Sequence, residues 1–179
     1  HKAFFLSVGT IEPRNNLLRV FEAFRAGRRA SHFDWPLIVV GASGWKSSRE
    51  HEMLDELIKD GLALYLDYVT DDTLLTLYAS AGALVFPSLY EGFGLPALEA
   101  AACGCPVITS ERSAMAEFVP EQTLLVNPED VSSISGALRA IPSDPEFGSG
   151  FDAGNQAAAR TWVDVARETS EVYRAALRG

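Results

Sequence analysis

Short apolar runs alternate with segments of helical periodicity along the 179 residues, and that alternation sets the expected fold. Phe4 to Gly9 begins as a buried strand and passes into a loop, Thr10 to Asn16. Leu17, Val20, Phe21 and Phe24 then recur at the spacing of one helix face. A basic, irregular connector, Ala26 to Asp34, leads to a second strand, Leu37 to Val40, closed by Gly41. Met53, Leu54, Leu57 and Ile58 mark a second helix that ends before Gly61. Leu62 to Leu66 is a third strand, after which Thr70 or Asp71 caps a helix carrying Leu74, Leu75 and Tyr78. Ala83 to Phe86 and Val107 to Ile108 are the fourth and fifth strands, with an alanine-rich helix, Pro96 to Ala102, between them. Pro96 suits the first helical position and Gly104 the left-handed cap. Thr123 to Val126 is a sixth strand, and Asn127 to Asp130 starts a helix with Val131, Ile134 and Leu138 on one face. Pro142 to Gly150 is the loosest stretch, and Trp162 to Leu177 is a terminal helix. Apolar strands alternating with helices predict an α/β, Rossmann-like fold of three layers around a parallel sheet of about six strands. One domain, 1–179, is expected, with the terminal helix packing back across it.

Composition narrows the function. A hydrophobic share of 47% with 22% charged residues is that of a globular chain with a real core. No apolar run approaches the length of a membrane span, and no secretory signal is expected. A net charge of −9 argues against nucleic acid or an anionic membrane face as a partner. Cys103 and Cys105 are too close for a routine disulfide, and neither they nor the histidines (His1, His32, His51) have zinc-ligand spacing. The cysteines read as small buried hydrophobes of a reducing compartment, and no metal is expected.

The chemistry concentrates in VFPSLYEGFGLPALEAAACGCPVITS, Val85 to Ser110. This is a strand, a glycine-bearing loop, a helix and a strand, with the loop at the strand's C-terminal end, where parallel sheets place ligands. Gly92 and Gly94 let backbone approach a ligand, and the helix start offers unpaired N–H groups to a phosphate. Glu91 precedes the loop, and Glu99 follows eight positions later. Glu99 suits a sugar diol, as an acidic residue does for ribose in dinucleotide sites. From the residues alone, Glu99 reads equally as a complement to the helix dipole and Glu91 as a solvated side chain. Gly41-Ala42-Ser43-Gly44-Trp45-Lys46-Ser47 is no phosphate loop, because its glycines are too close and Trp45 separates Gly44 from Lys46. No G-x-G-x-x-G follows the first strand, so neither an ATPase nor a nicotinamide enzyme is supported.

Glu91-Gly92-Phe93-Gly94-Leu95-Pro96 through Glu99-Ala100, then Cys103-Gly104-Cys105-Pro106-Val107, resembles the donor-binding motif of glycosyltransferase family 4. Ala101 stands where that family usually has methionine. Ser7 to Leu17 resembles its SVGT-x-EPRKNL loop, with Asn15 in place of a lysine that neutralises the donor diphosphate. The Gly41–Ser47 loop and the Tyr68-Val69-Thr70-Asp71 segment also have counterparts there. The resemblance covers nearly the whole chain but only the C-terminal half of a two-domain, B-type enzyme. It implies a retaining hexosyltransferase's donor domain, binding GDP-mannose or a UDP-hexose for glycan or polysaccharide synthesis. Glu91 and Arg14 take the catalytic roles. Gly9, Thr10, Asn15, Gly41, Lys46, Val69, Glu91, Gly92, Phe93, Gly94, Leu95 and Glu99 take donor-binding roles. The implied partners are the nucleotide-sugar donor, a missing N-terminal acceptor domain and a glycan or lipid-linked acceptor, with no nucleic acid and no cofactor. The implied location is the cytoplasm, with any attachment to the inner membrane face made through the other half. Two alternatives stand beside this reading: a non-catalytic sugar-nucleotide-binding module, favoured by Asn15, and an assembly domain that binds nothing.

Overall fold

The computed structural model describes residues 3–112, 116, 123–144 and 161–178. Six strands form one sheet: β1 (Phe5–Val8), β2 (Leu37–Val40), β3 (Ala63–Leu66), β4 (Ala83–Phe86), β5 (Val107–Ser110) and β6 (Leu124–Val126). Their order is β3-β2-β1-β4-β5-β6, and every pairing is parallel. The helices are α1 (Leu17–Arg29), α2 (Ser48–Lys59), α3 (Asp71–Ser80), α4 (Leu95–Ala102), α5 (Val131–Ser143) and α6 (Trp162–Ala176). The chain thus winds outward twice from the centre of the sheet. The direction reverses between β1 and β4, which opens a crevice beyond the carboxyl ends of those two strands.

The inner strands β1, β2, β4 and β5 read as unbroken apolar runs because helices cover both faces, whereas Leu64 of β3 and Leu125 of β6 stand exposed at the two edges. Side chains alternate across a strand with period two. Phe5, Val39, Val85 and Ile108 enter one core, packed under Phe21 and Phe24 of α1, Leu54 of α2 and Leu138 of α5. Leu6, Val40, Leu84 and Val107 enter the other, with Tyr78 of α3 and Ala97, Ala100 and Ala101 of α4. Ala101, the departure from methionine, is a buried core position.

Several boundaries differ from expectation. Helix α1 runs on through Arg29, so the basic connector begins as helix. Helix α4 starts at Leu95, one residue before Pro96; a proline in the first turn forfeits no intrahelical bond, so the start is free to move. Pro142 lies in the last turn of α5 rather than in the loop after it, and residues 145–150 of that loop lie outside the described residues. The terminal helix forms at Trp162–Ala176. It buries none of its residues, and Trp162, Val163, Val172, Tyr173 and Leu177 stand exposed. Periodicity identifies an apolar face without saying what covers it.

Candidate functional site

The crevice at the reversal is lined by two loops that the backbone fixes together. After β1 the chain passes through Gly9 and Thr10 into a short 3-10 turn, Pro13–Asn15. After β4 it passes through Pro87 to Gly94. The Leu89 amide donates to the Arg14 carbonyl at 2.9 Å. Asn16, left-handed at φ 61°, donates from Nδ2 to the carbonyls of Pro87 at 2.9 Å and Pro128 at 2.7 Å. One buried amide therefore ties the β1 loop to the β4 loop and to the turn before α5. The β2 loop joins the same layer: Ile11 donates to the Ala42 carbonyl, and Gly44 donates to that of Ile11. Gly41, at φ +144°, lies against Gly9 so closely that a Cβ would overlap the Gly9 carbonyl. Only glycine permits that approach.

The two residues expected in catalytic roles meet. Arg14 Nη1 donates to Glu91 Oε1 at 3.0 Å. The same guanidinium is held by Glu12 Oε1, at 2.8 Å from Nε and 2.7 Å from Nη2. The Arg14 side chain is 44% exposed, while those of Glu12 and Glu91 are 10% and 11% exposed. Arg14 therefore lies over two largely desolvated carboxylates, and their mutual repulsion is relieved by one shared cation. The Glu12 hydrogen bond, ahead of the charges of Glu91 and Glu12, raises the Arg14 pKa against the opposing pull of burial.

Glu99 lies on the other side of the β4 loop, exposed along α4. Its Oε2 accepts a hydrogen bond from the Tyr78 hydroxyl at 3.0 Å. Tyr78 is fully buried, and burial, then the charge and hydrogen bond of Glu99, push its hydroxyl far above the ordinary tyrosine range. It stays a donor at every working pH and fixes one carboxylate oxygen of Glu99. Glu91 and Glu99 are thus separately held, each by its own partner. Gly94 enters α4 at φ +79°, which turns the loop into the helix start. Phe93 and Leu95 on either side are about half exposed, and Gly92 is exposed.

Other expected residues are placed differently. Asn15 is buried, and its Nδ2 donates to the Thr10 carbonyl at 2.7 Å. Its Oδ1 is buried without a hydrogen-bond partner. The side chain that replaces the family's lysine therefore braces its own loop. Lys46, left-handed at φ 50°, stands over the Trp45 ring. It lines a groove of 780 Å³ between the starts of α1 and α2, with Arg19, Arg49 and Glu50. Its ammonium makes no ion pair with the Arg14 cluster. Val69 follows β3 and packs partly buried against the core that contains Tyr78.

Three residues at the site carry no role in the expected set: Glu12, Asn16 and Tyr78. Glu12 was visible only as part of a motif, and Asn16 only as the end of a loop. Tyr78 reads as core from its helical spacing, and it is core; its polar end escapes that pattern.

Comparison with known proteins agrees with this architecture. The family described as glycosyl transferases group 1 matches residues 1–157. O-antigen chain mannosyltransferase B of Escherichia coli is 33% identical over 175 residues, covering 97% of this chain and 46% of that protein. A sucrose-phosphate synthase from Thermosynechococcus elongatus is 25% identical with a TM-score of 0.76, over 98% of this chain and 46% of that one. The C-terminal domain of a group 1 glycosyl transferase from Francisella tularensis aligns with a TM-score of 0.70 at 24% identity, over 85% of this chain and 81% of that domain. The chain spans less than half the length of the curated relatives at the head of the comparison. With a matched profile over most of its length and a relative of this identity, the chain belongs to the group 1 glycosyltransferase family.

Proposed function

We propose that this chain is the C-terminal, nucleotide-sugar-binding domain of a retaining hexosyltransferase of family 4, with GDP-mannose the favoured donor and a UDP-hexose the near alternative. The observation that supports the reading is the Arg14–Glu91 pair, which joins the loops after β1 and β4 at the sheet reversal, with the Glu99 carboxylate of α4 held by Tyr78. Glu99 accepts the ribose hydroxyls through the oxygen that Tyr78 leaves open. Glu91, with the backbone of Phe93 to Leu95, holds the sugar. Arg14 and the start of α4 take the diphosphate, and no metal is asked to share that charge. Gly9, Thr10, Gly41 and Val69 shape the walls.

The chemistry asked of this half is positioning and leaving-group stabilisation. The bond between the anomeric carbon and the diphosphate oxygen breaks, the acceptor hydroxyl attacks that carbon and gives its proton to the departing diphosphate oxygen, and Arg14 with the α4 amides stabilises the charge left on the diphosphate. The acceptor's contacts come from the N-terminal domain. Trp45, Tyr68, Leu89, Tyr90, Phe93 and Leu95 form an exposed apolar rim at the carboxyl ends of the strands, a surface suited to closing against another domain. The names of relatives support a hexose acceptor system of the polysaccharide kind: O-antigen chain mannosyltransferases recur among them. No helix among the described residues is long and apolar enough to cross a membrane.

A second reading, a binding module without transfer, is favoured by the position of Asn15, which offers the diphosphate no charge. The two readings share the donor site and part at transfer. Glu99→Gln tests what they share. It keeps the size of the side chain and an acceptor oxygen but removes the charge that the ribose hydroxyls address, so nucleoside diphosphate affinity falls by about 1–1.5 kcal/mol, the difference between a charged and a neutral hydrogen bond. Unchanged affinity in calorimetric titration removes Glu99 from the site.

A further inference from the structure

The guanidinium of Arg14 serves two carboxylates unequally. Glu12 receives Nε and Nη2 on one oxygen, at 2.8 and 2.7 Å, and is a buried residue. Glu91 receives only Nη1, at 3.0 Å. Three unit charges in this cluster sum to minus one, so a diphosphate that simply added to it would meet net repulsion. The cation can serve a diphosphate only by giving up a carboxylate, and the single, longer bond to Glu91 is the weaker of its two attachments. The arginine main chain does not have to move, because its carbonyl is already fixed to the β4 loop by the Leu89 amide.

We infer that Glu12 is a positioning residue that keeps Arg14 in place while the guanidinium exchanges Glu91 for the donor's diphosphate, so that filling the phosphate position frees Glu91 for the sugar. The inference rests on the donor-site reading above. No covalent bond changes; one ion pair is replaced by another. The device orders binding within one ligand. A sugar without its diphosphate finds Glu91 occupied by Arg14, and a diphosphate without its sugar must displace Glu91 with no compensating contact. Only the complete donor gains both interactions. Glu12 sets which bond opens, because without it Arg14 would settle wholly on Glu91.

The test titrates this chain with a nucleoside, its diphosphate and the corresponding nucleotide-sugar. In Glu91→Gln the competitor for Arg14 is gone, so diphosphate affinity rises about two- to fivefold, the worth of a partly exposed ion pair. Nucleotide-sugar affinity does not rise with it, since the sugar loses a partner, and nucleoside affinity is unchanged. The diphosphate gain disappears in an Arg14→Gln background, whereas simple relief of repulsion would persist there. In Glu12→Gln the diphosphate binds more weakly although a negative charge has been removed nearby; Glu12→Asp, charged but too short to reach, gives the same loss if the glutamine variant fails to fold. A direct view comes from the Arg14 Nε–H proton resonance, which stays shifted by Glu12 in the diphosphate-saturated protein. A Glu91→Gln variant with unaltered or lower diphosphate affinity, or a gain that survives without Arg14, overturns the exchange. A wild-type chain that binds the nucleotide-sugar no better than the nucleoside overturns the donor-site reading itself, and the exchange with it.

Discussion

Glu99 owes its orientation to a hydroxyl two elements away in sequence. The hydrogen bond from Tyr78 at 3.0 Å leaves one carboxylate oxygen for a ligand and removes the other from competition. Tyr78→Phe keeps the ring that fills the core and deletes only this bond. Nucleotide affinity is expected to fall by roughly 0.5–1.5 kcal/mol, with a smaller loss in a Glu99→Gln background, where the hydroxyl meets only a neutral acceptor. Equal losses in both backgrounds in calorimetric titration would mean that Tyr78 acts on the fold and not through Glu99. The same contact makes Glu99→Ala a poor probe, because it leaves a buried hydroxyl unpaired and mixes stability into binding. Asn15→Lys replaces a brace of the β1 loop with a cation near the diphosphate. It is expected to strengthen diphosphate binding more than nucleoside binding, and the gain should shrink as salt rises. Equal effects on the two ligands, measured across a salt series, would place this loop away from the phosphates. At this scale the sequence showed which residue types matter and hid how they pair. Glu91, Glu99 and Arg14 stand out by motif, but the partnerships with Glu12 and Tyr78 cross long stretches of chain. No local spacing reports them.

The elements were more legible than the contacts. All six strands lie where the apolar runs placed them, and the inner four, buried on both faces, carry the clearest signal. Thr70 caps α3 as expected, its side chain accepting from the Thr73 amide. The helix ends moved where the signal is weak, at Arg29 and around Pro96 and Pro142. Helix α6 carries its own start signal in a reciprocal cap: Thr161 accepts from the Asp164 amide, and Asp164 accepts from the Thr161 amide. Hydrogen bonds from the Thr161 hydroxyl and amide, then Arg167, lower the Asp164 pKa to about 2. A depressed folded value means the cap contributes fully above the unfolded value of 3.8 and is lost as pH falls through about 2. Amide resonances of the first turn of α6 should therefore show fraying between those values, and Asp164→Asn should abolish the dependence. A first turn that titrates identically in the variant would show that the cap is not the group responsible. What sequence could not show for α6 is its neighbour: its apolar residues are exposed, and periodicity is silent about the surface that meets them.

Across the whole molecule, the sheet order explains why residues so far apart in sequence share one crevice. The strand order reverses between β1 and β4, so Arg14 and Glu91 meet although 77 positions separate them. Strand alternation announced the class of fold, and the order of strands became clear only in the structure, since a parallel strand pairs with no partner its own sequence names. Two cores of mostly apolar side chains lie one on each face of the sheet. The central claim is that these residues alone form a donor site, and calorimetric titration with GDP-mannose, UDP-glucose and the parent nucleosides tests it most directly. The account predicts binding of at least one nucleotide-sugar with a dissociation constant from roughly tens of micromolar to millimolar, weaker than about −7 kcal/mol and tighter than its nucleoside. Heats that do not distinguish any nucleotide-sugar from its nucleoside would contradict it.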